Sequence, residues 1–301
     1  MAESALPSLP PRPTDGHKGT FGTVCVLGGQ GADPRVMLGG PAFAAVGALR
    51  SGAGLAVLAV PAPLMAAGLT VAPSATGLAL PVDNAGRLDP SGVAALLDGY
   101  LPQFDCLAVG PGLGDDEPQR RIMARLISRE DVPLVIDADG LNALAGLADF
   151  GRDLKARAVL TPHPGEYKRL AATLGIDADP TDAESRTAAA QELAQRLGCV
   201  VVLKGAGTVV SDGINTWTNF TGNVALATAG TGDVLTGIIA GLVAQHARTG
   251  GLSLYDCARL GVVAHGLAAD RWSVSHGDTG LLAEELLDEL PHVMAELRRS
   301  G

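Results

Sequence analysis

Asn219-Phe-Thr-Gly-Asn-Val-Ala-Leu-Ala-Thr-Ala-Gly-Thr-Gly-Asp-Val-Leu-Thr-Gly-Ile-Ile-Ala-Gly-Leu242 is the stretch on which the fold turns. Small residues run up to Gly230-Thr231-Gly232-Asp233, and an apolar helical pattern then begins with Val234, Leu235, Ile238, Ile239 and Leu242. A glycine-rich turn thus delivers a carboxylate to the first turn of a helix. Amides there have no helical partner, and the helix dipole is positive. Glycines let a phosphate come close to such amides. An aspartate among them would repel the phosphate unless it takes a proton from an attacking hydroxyl or holds a metal ion. The plainer reading makes Gly232 a turn residue and Asp233 a first-turn carboxylate complementing the dipole. The rest of the chain has to decide.

The 301 residues suffice for one large α/β domain or two small ones. Apolar residues make up 47% and aromatics only 3%, with 40 glycines, so the core must be Ala, Val and Leu with helices close against a sheet. A net charge of −10 argues against a broad nucleic-acid or anionic-membrane surface. Cys25, Cys106, Cys199 and Cys257 form no C-x-x-C pair and read as buried free thiols in a reducing compartment. Residues 1–16, with Pro7, Pro10, Pro11 and Pro13, read as a flexible lead-in without a signal core, and 17–301 as a single domain. No apolar run reaches membrane-spanning length, so the expected setting is soluble and cytoplasmic.

Along the chain, apolar runs alternate with helical ones. Strands are expected at Thr23–Leu27, Leu55–Val60, Asp105–Val109, Pro133–Ile136, Ala158–Leu160 and Val200–Leu203. Helices are expected at roughly Met37–Ser51, Glu117–Ser128, a short one from Leu141, and Glu184–Leu197. Runs this apolar indicate strands buried on both faces, as in parallel sheets. Asp212-Gly213 then marks a tight hairpin. Three helical patterns follow, Asp233–His246, Ser253–Arg271 and Thr279–Arg298. The reading is a mainly parallel, doubly wound α/β sheet with an antiparallel edge hairpin.

In open parallel sheets ligands bind beyond the carboxyl ends of the strands. Gly28-Gly29, Gly110-Pro-Gly112, Asp137 and Asp139, His163 and Glu166, Lys204 and Gly232-Asp233 all fall at such ends. Asp137 and Asp139 could hold Mg²⁺, or Asp139 could cap the next helix. Glu166 could be a ligand of a metal or of its water, or a plain first-turn carboxylate. Lys204, before Gly205-Ala206-Gly207-Thr208, could neutralise a phosphate or be a solvated strand end. The other histidines, His265 among them, read as surface or packing residues. Neither a G-x-G-x-x-G turn after the first strand nor a Gly-Lys-Ser/Thr loop is present, so the phosphate element lies late, at Gly230–Asp233.

Together, Lys18-Gly-Thr-Phe-Gly22, Ala48-Leu-Arg-Ser-Gly-Ala-Gly54, Gly110-Pro-Gly-Leu-Gly114, Val135-Ile-Asp-Ala-Asp-Gly-Leu-Asn142, Leu160-Thr-Pro-His-Pro-Gly-Glu166, Val202-Leu-Lys-Gly205 and Ala227-Thr-Ala-Gly-Thr-Gly-Asp-Val-Leu-Thr-Gly237 resemble the ADP-dependent NAD(P)H-hydrate dehydratases of the ribokinase-like superfamily. The resemblance covers roughly Lys18 to Leu297. It implies repair of hydrated NADH or NADPH, acting on the S epimer, at the expense of ADP, with AMP and phosphate released. By the same resemblance Asp233 is the base. Lys204, Gly205, Ala206, Gly207, Thr208 and Gly232 contact the nucleotide. Gly40, Gly112, His163 and Asp233 contact the hydrate, and Ala229, Gly230, Thr231 and Gly232 form the phosphoryl anion hole. Mg²⁺ is implied between phosphates, with Glu166 a ligand through water, as are a homotetramer and a separate epimerase for the R epimer. Some positions depart from the pattern. Gly40 stands where Ala is usual, the 30–41 loop differs, Val224 and Leu226 replace Pro and Met, and Tyr167 stands where Met is common. None removes a chemical group that the reaction needs.

Two other readings share the fold. An ATP-dependent kinase of the hydroxyethylthiazole or pyridoxal type would use the same Asp233 and anion loop. A nucleotide-binding regulator would not need Asp233, Lys204 and Gly232 intact. Thr161-Pro-His-Pro-Gly-Glu166 with Lys204-Gly205 favours the dehydratase.

Overall fold

The computed structural model describes residues 5–32, 34–247 and 250–299. Nine strands form one sheet in the order β3-β2-β1-β4-β5-β6-β7-β8-β9. They are β1 (Thr23–Leu27), β2 (Leu55–Pro61), β3 (Thr76–Leu80), β4 (Cys106–Val109), β5 (Leu134–Ile136), β6 (Ala158–Leu160), β7 (Val200–Leu203), β8 (Val209–Ser211) and β9 (Thr216–Thr218). Strands β1 to β7 pair in parallel, and β8 and β9 close one edge antiparallel. The fold is the mainly parallel α/β sheet with an antiparallel edge expected from the strand pattern, in the ribokinase-like form that the resemblance implies.

The helices between strands are α1 (Gly39–Arg50), α2 (Met65–Val71), α3 (Pro90–Tyr100), α4 (Glu117–Ile127), α5 (Asp139–Ala145), α6 (Phe150–Asp153), α7 (Pro164–Leu174) and α8 (Arg186–Leu197). The chain closes with α9 (Thr231–His246), α10 (Leu254–His276) and α11 (Ala283–Arg299). Strand alternation divides the core between the two faces of the sheet. Val24 and Val26 join Ile238, Ile239, Leu260 and Leu286 on one side. Cys25 and Leu27 join Ile122, Tyr167, Leu170 and Leu193 on the other. All four cysteines are buried free thiols, as expected.

Small residues set the distance between α1 and α9. A methyl group on Gly237 would lie 2.1 Å from Ala44 O, and one on Gly47 would lie 3.0 Å from Val234 O. Only glycine permits this approach, and it brings the start of α1 against the start of α9. Helix α9 begins at Thr231, two residues before the expected start at Asp233, so Thr231 and Gly232 belong to its first turn.

Five elements were not foreseen: α2, β3, α3, α6 and α7. Residues 1–4 of the expected lead-in and position 33 of the divergent loop lie outside the described residues. Part of the expected lead-in makes contacts with the domain. Leu9 is buried in the core, Arg12 stacks 3.5 Å over the Phe21 ring, and its Nη1 donates to Gly52 O at 2.8 Å. Among the described residues no helix is long and apolar enough to cross a membrane.

Candidate active site

Strand order reverses between β1 and β4, which makes this the switch point of the sheet. There Gly29 N donates to Pro111 O at 3.0 Å and Gly110 N to Leu27 O at 3.0 Å, so the two glycine loops are tied together. Gly112 has a φ of +61, and a methyl group on it would press on Met37 Cβ at 3.1 Å. Met37 leads into α1. A methyl group on Gly40 would stand 3.0–3.1 Å from the carboxylate atoms of Asp233. The backbone of Gly40 thus lies close against that carboxylate, where any side chain would press on it.

Gly230, with a φ of +92, is the N-cap of α9. The first helical bond runs from Val234 N to Gly230 O at 3.1 Å. The amides of Thr231, Gly232 and Asp233 thus precede the helical ladder, at the positive end of the dipole. Lys204 Nζ would be 3.7 Å from a methyl group on Gly232, which sets the ammonium beside the anion loop. Lys204 is held by Asp137 Oδ1 at 2.5 Å, with Glu166 Oε2 at 3.8 Å. Asp137, itself buried, also accepts from Thr236 Oγ1 at 2.6 Å, one turn along from Asp233.

Burial raises the Asp233 pKa to about 7, with repulsion from Asp137 adding to it and Lys204 opposing. Burial likewise lifts Glu166 to about 7, again against Lys204. For Lys204 burial pulls the pKa down, but Asp137, Glu166 and Asp233 outweigh it and the net shift is upward. The arrangement holds one cation among three carboxylates, two of them poised near neutrality. Such a carboxylate can accept a proton at neutral pH.

His163 and Glu166 form a capping box at the start of α7. Glu166 Oε2 accepts from His163 N at 2.7 Å, and His163 Nδ1 accepts from Gly165 N at 2.9 Å. With Nδ1 accepting, Nε2 carries the proton toward Glu166 Oε1, 3.3 Å away. Burial, with Lys204 and Arg169 nearby, lowers the His163 pKa and favours the neutral ring. Both expected uses of Asp137 and Asp139 are altered. Asp137 is occupied by Lys204 and Thr236. Asp139 does not cap α5, whose N-cap is Ala138; its Oδ2 accepts from Gly114 N at 2.9 Å and steadies the Gly110–Gly114 loop. Among the described residues no group of three or more His, Cys, Asp or Glu side chains could hold a metal ion.

A family model described as NAD(P)H-hydrate dehydratase matches residues 24–292. The chain belongs to this family. The bifunctional NAD(P)H-hydrate repair enzyme of Moorella thermoacetica is 39% identical over 96% of this chain and 52% of its own length. The chain thus spans about half the length of the curated relatives it matches. The crystal structure of an ADP/ATP-dependent NAD(P)H-hydrate dehydratase from Bacillus subtilis, co-crystallised with ATP and Mg²⁺, is 31% identical at a TM-score of 0.76, covering 96% of this chain and 95% of that one. A ribokinase-like superfamily protein from Enterococcus faecalis is 26% identical at a TM-score of 0.79, covering 96% and 92%.

Two buried side chains at this dehydratase-family site escaped the sequence reading. Arg186, on α8, donates to Leu203 O at 2.8 Å, Lys204 O at 2.7 Å and Pro180 O at 2.7 Å, bracing the start of the Lys204–Thr208 loop. His265, on α10, sits 2.8 Å from Thr231 O by its Nε2. The only hint of either was a polar residue on an otherwise apolar helix face.

Ala138, between the two aspartates, is the one non-glycine with positive φ among the described residues, at 49°. Such backbone costs on the order of 1–3 kcal/mol and persists where its surroundings force it. Ala138→Gly is expected to raise the thermal midpoint, with a gain of about 1 kcal/mol in urea unfolding after glycine's own entropy cost. A lower midpoint would show that the conformation carries no strain.

Proposed function

We propose that this protein restores NADH and NADPH from the S epimers of their hydrates, using ADP and releasing AMP and phosphate. The observation that carries the reading is the Asp233 carboxylate at the start of α9, poised near neutrality with the glycine backbone of Gly40 close beside it. Lys204 lies beside the adjoining anion loop, in a chain of the dehydratase family.

Asp233 takes the proton of the ring hydroxyl, and the oxygen attacks the β-phosphorus of ADP as AMP departs. The amides of the Ala229–Gly232 segment, with Lys204, stabilise the charge on the transferring phosphoryl group. Phosphate then leaves and the ring double bond re-forms with loss of the neighbouring carbon's proton. The Lys204–Thr208 loop and Gly232 hold the nucleotide, and Gly40, Gly112 and His163 orient the hydrate. No cluster of side chains among the described residues would hold Mg²⁺ alone, so it would bind together with the nucleotide phosphates, with Glu166 the residue that would help hold it through water, and it would supply neutralisation of phosphate charge. The setting we assign is cytoplasmic, and the assembly a homotetramer. A separate epimerase would supply the S epimer from the R form. A small-alcohol kinase would share Asp233 and the anion loop, and family membership turns the choice to the dehydratase.

The test mixes purified protein with hydrated NADH, Mg²⁺ and either ADP or ATP, and follows the return of reduced-nicotinamide absorbance. Recovery with ADP is expected. No recovery with either nucleotide rejects the reading, and recovery with ATP alone keeps the reaction but overturns the choice of ADP.

A further inference from the structure

We infer that His265 is a positioning residue that aims the Gly232 amide at the transferring phosphoryl group by holding the carbonyl of Thr231. The inference rests on the anion-loop reading above and extends it to a side chain outside the loop. Thr231 O and Gly232 N belong to one planar trans peptide, whose C=O and N–H point in opposite directions. A bond that fixes the carbonyl on one side therefore fixes the N–H on the other. His265 Nε2 lies 2.8 Å from that oxygen. A carbonyl only accepts, so Nε2 carries the hydrogen. Burial pushes the ring's pKa down to about 4 against the pull of the Thr231 bond, so the ring stays neutral and its tautomer is set.

The bond is one of several from the same helix. Asp270 on α10 accepts from Gly222 N at 2.8 Å and from Asn223 Nδ2 at 2.9 Å, and Thr221 Oγ1 donates to Val263 O at 3.3 Å. Helix α10 thus holds the approach to the anion loop at 221–223, and His265 holds the loop itself. From inside, Thr231 Oγ1 lies 2.8 Å from both Leu226 O and Thr228 O, which fixes the side chain of Thr231, while its carbonyl is held by the helical ladder and by His265 together. The helical ladder alone would let the first-turn peptide tilt, since the first turn of a helix frays. A donor misaimed at the transferring group forfeits much of its stabilisation, because removing one such donor costs on the order of 10²–10³ in rate.

Two variants separate aiming from folding. His265→Met keeps bulk without a donor, and His265→Gln can present an amide N–H to Thr231 O. Calorimetry of AMP and ADP binding, with turnover of hydrated NADH, is measured on wild type and both variants. For His265→Met, ADP affinity is expected to fall roughly 10-fold while AMP affinity stays within about 2-fold, and kcat to fall on the order of 10²-fold. His265→Gln should recover most of both. The inference is overturned if His265→Met keeps the wild-type preference of ADP over AMP, if AMP and ADP weaken equally, if Gln rescues no better than Met, or if wild type itself does not prefer ADP. Failure of the dehydratase reading shows differently: wild type would regenerate no reduced nicotinamide, while the AMP-to-ADP ratio still reports on the aim of the loop.

Discussion

Asp233→Asn is expected to bind nucleotide within about threefold of wild type and to lose roughly 10³-fold in turnover, the range that a general base supplies. The amide is the same size and cannot take a proton. Loss of a negative charge beside the phosphate site does not harm the nucleotide, so the damage falls on kcat. Stability moves the opposite way. The folded pKa of Asp233, about 7, lies above the ordinary carboxylate value near 3.9. The contribution of such a group is fully present below its unfolded pKa and is lost as pH rises through the folded one. At pH 8 wild type therefore carries a buried charge that the variant lacks. Urea unfolding should show Asp233→Asn gaining on wild type between pH 5 and pH 8, by at most about 3 kcal/mol, since roughly two pH units separate pH 5 from the folded pKa at 1.36 kcal/mol per unit. Wild-type turnover should rise with pH through about 7 as Asp233 loses its proton. A variant that turns over normally removes Asp233 from the base role. A stability gap that does not change with pH removes the raised pKa.

The site was largely legible because its residues sit where patterns break. Gly28, Gly110, Asp137 and Lys204 each interrupt an apolar run, and in a parallel sheet such breaks fall on one rim. Elements were missed where pattern and punctuation conflict. In α7 the Thr-Pro-His-Pro-Gly string reads as loop, although Pro164 occupies the first helical position, where proline is favoured, and His163 caps in place of Ser or Asp. In α3 Gly92 and Gly99 mask a helix that Asp89 caps. Strand β3 lies at the sheet edge and exposes three of its five residues, so no buried run marks it. Contacts across the fold left no local trace. His265 meets Thr231 from 34 positions away, and Asp137 meets Thr236 from 99. Only the packing of α10 on α9 and of α9 on the sheet brings these pairs together.

The pairing of Asp137 also sets the second large effect. Asp137→Ala takes the close partner from Lys204 and leaves the ammonium Glu166, at 3.8 Å, with Asp233 nearby but no direct ion pair of the same closeness. Removing one member of a buried ion pair costs about 3–5 kcal/mol, because the remaining charge stays out of water. Thr236 loses its acceptor as well. A loss of this size should appear as a clear drop in the urea midpoint. Asp137→Asn keeps the shape and can still accept from Lys204, so its loss should be smaller. Both variants remove the negative charge that raises the Asp233 pKa, while Lys204, which lowers it, remains. The acid limb of the pH–rate profile should therefore move to lower pH in either. Asp233 would then be a weaker base at neutral pH and kcat would fall with it, although more of it is ionised. Asp137→Asn is the decisive variant, since it folds with the least disturbance. If its acid limb stays where the wild-type limb lies, Asp137 anchors Lys204 without tuning Asp233.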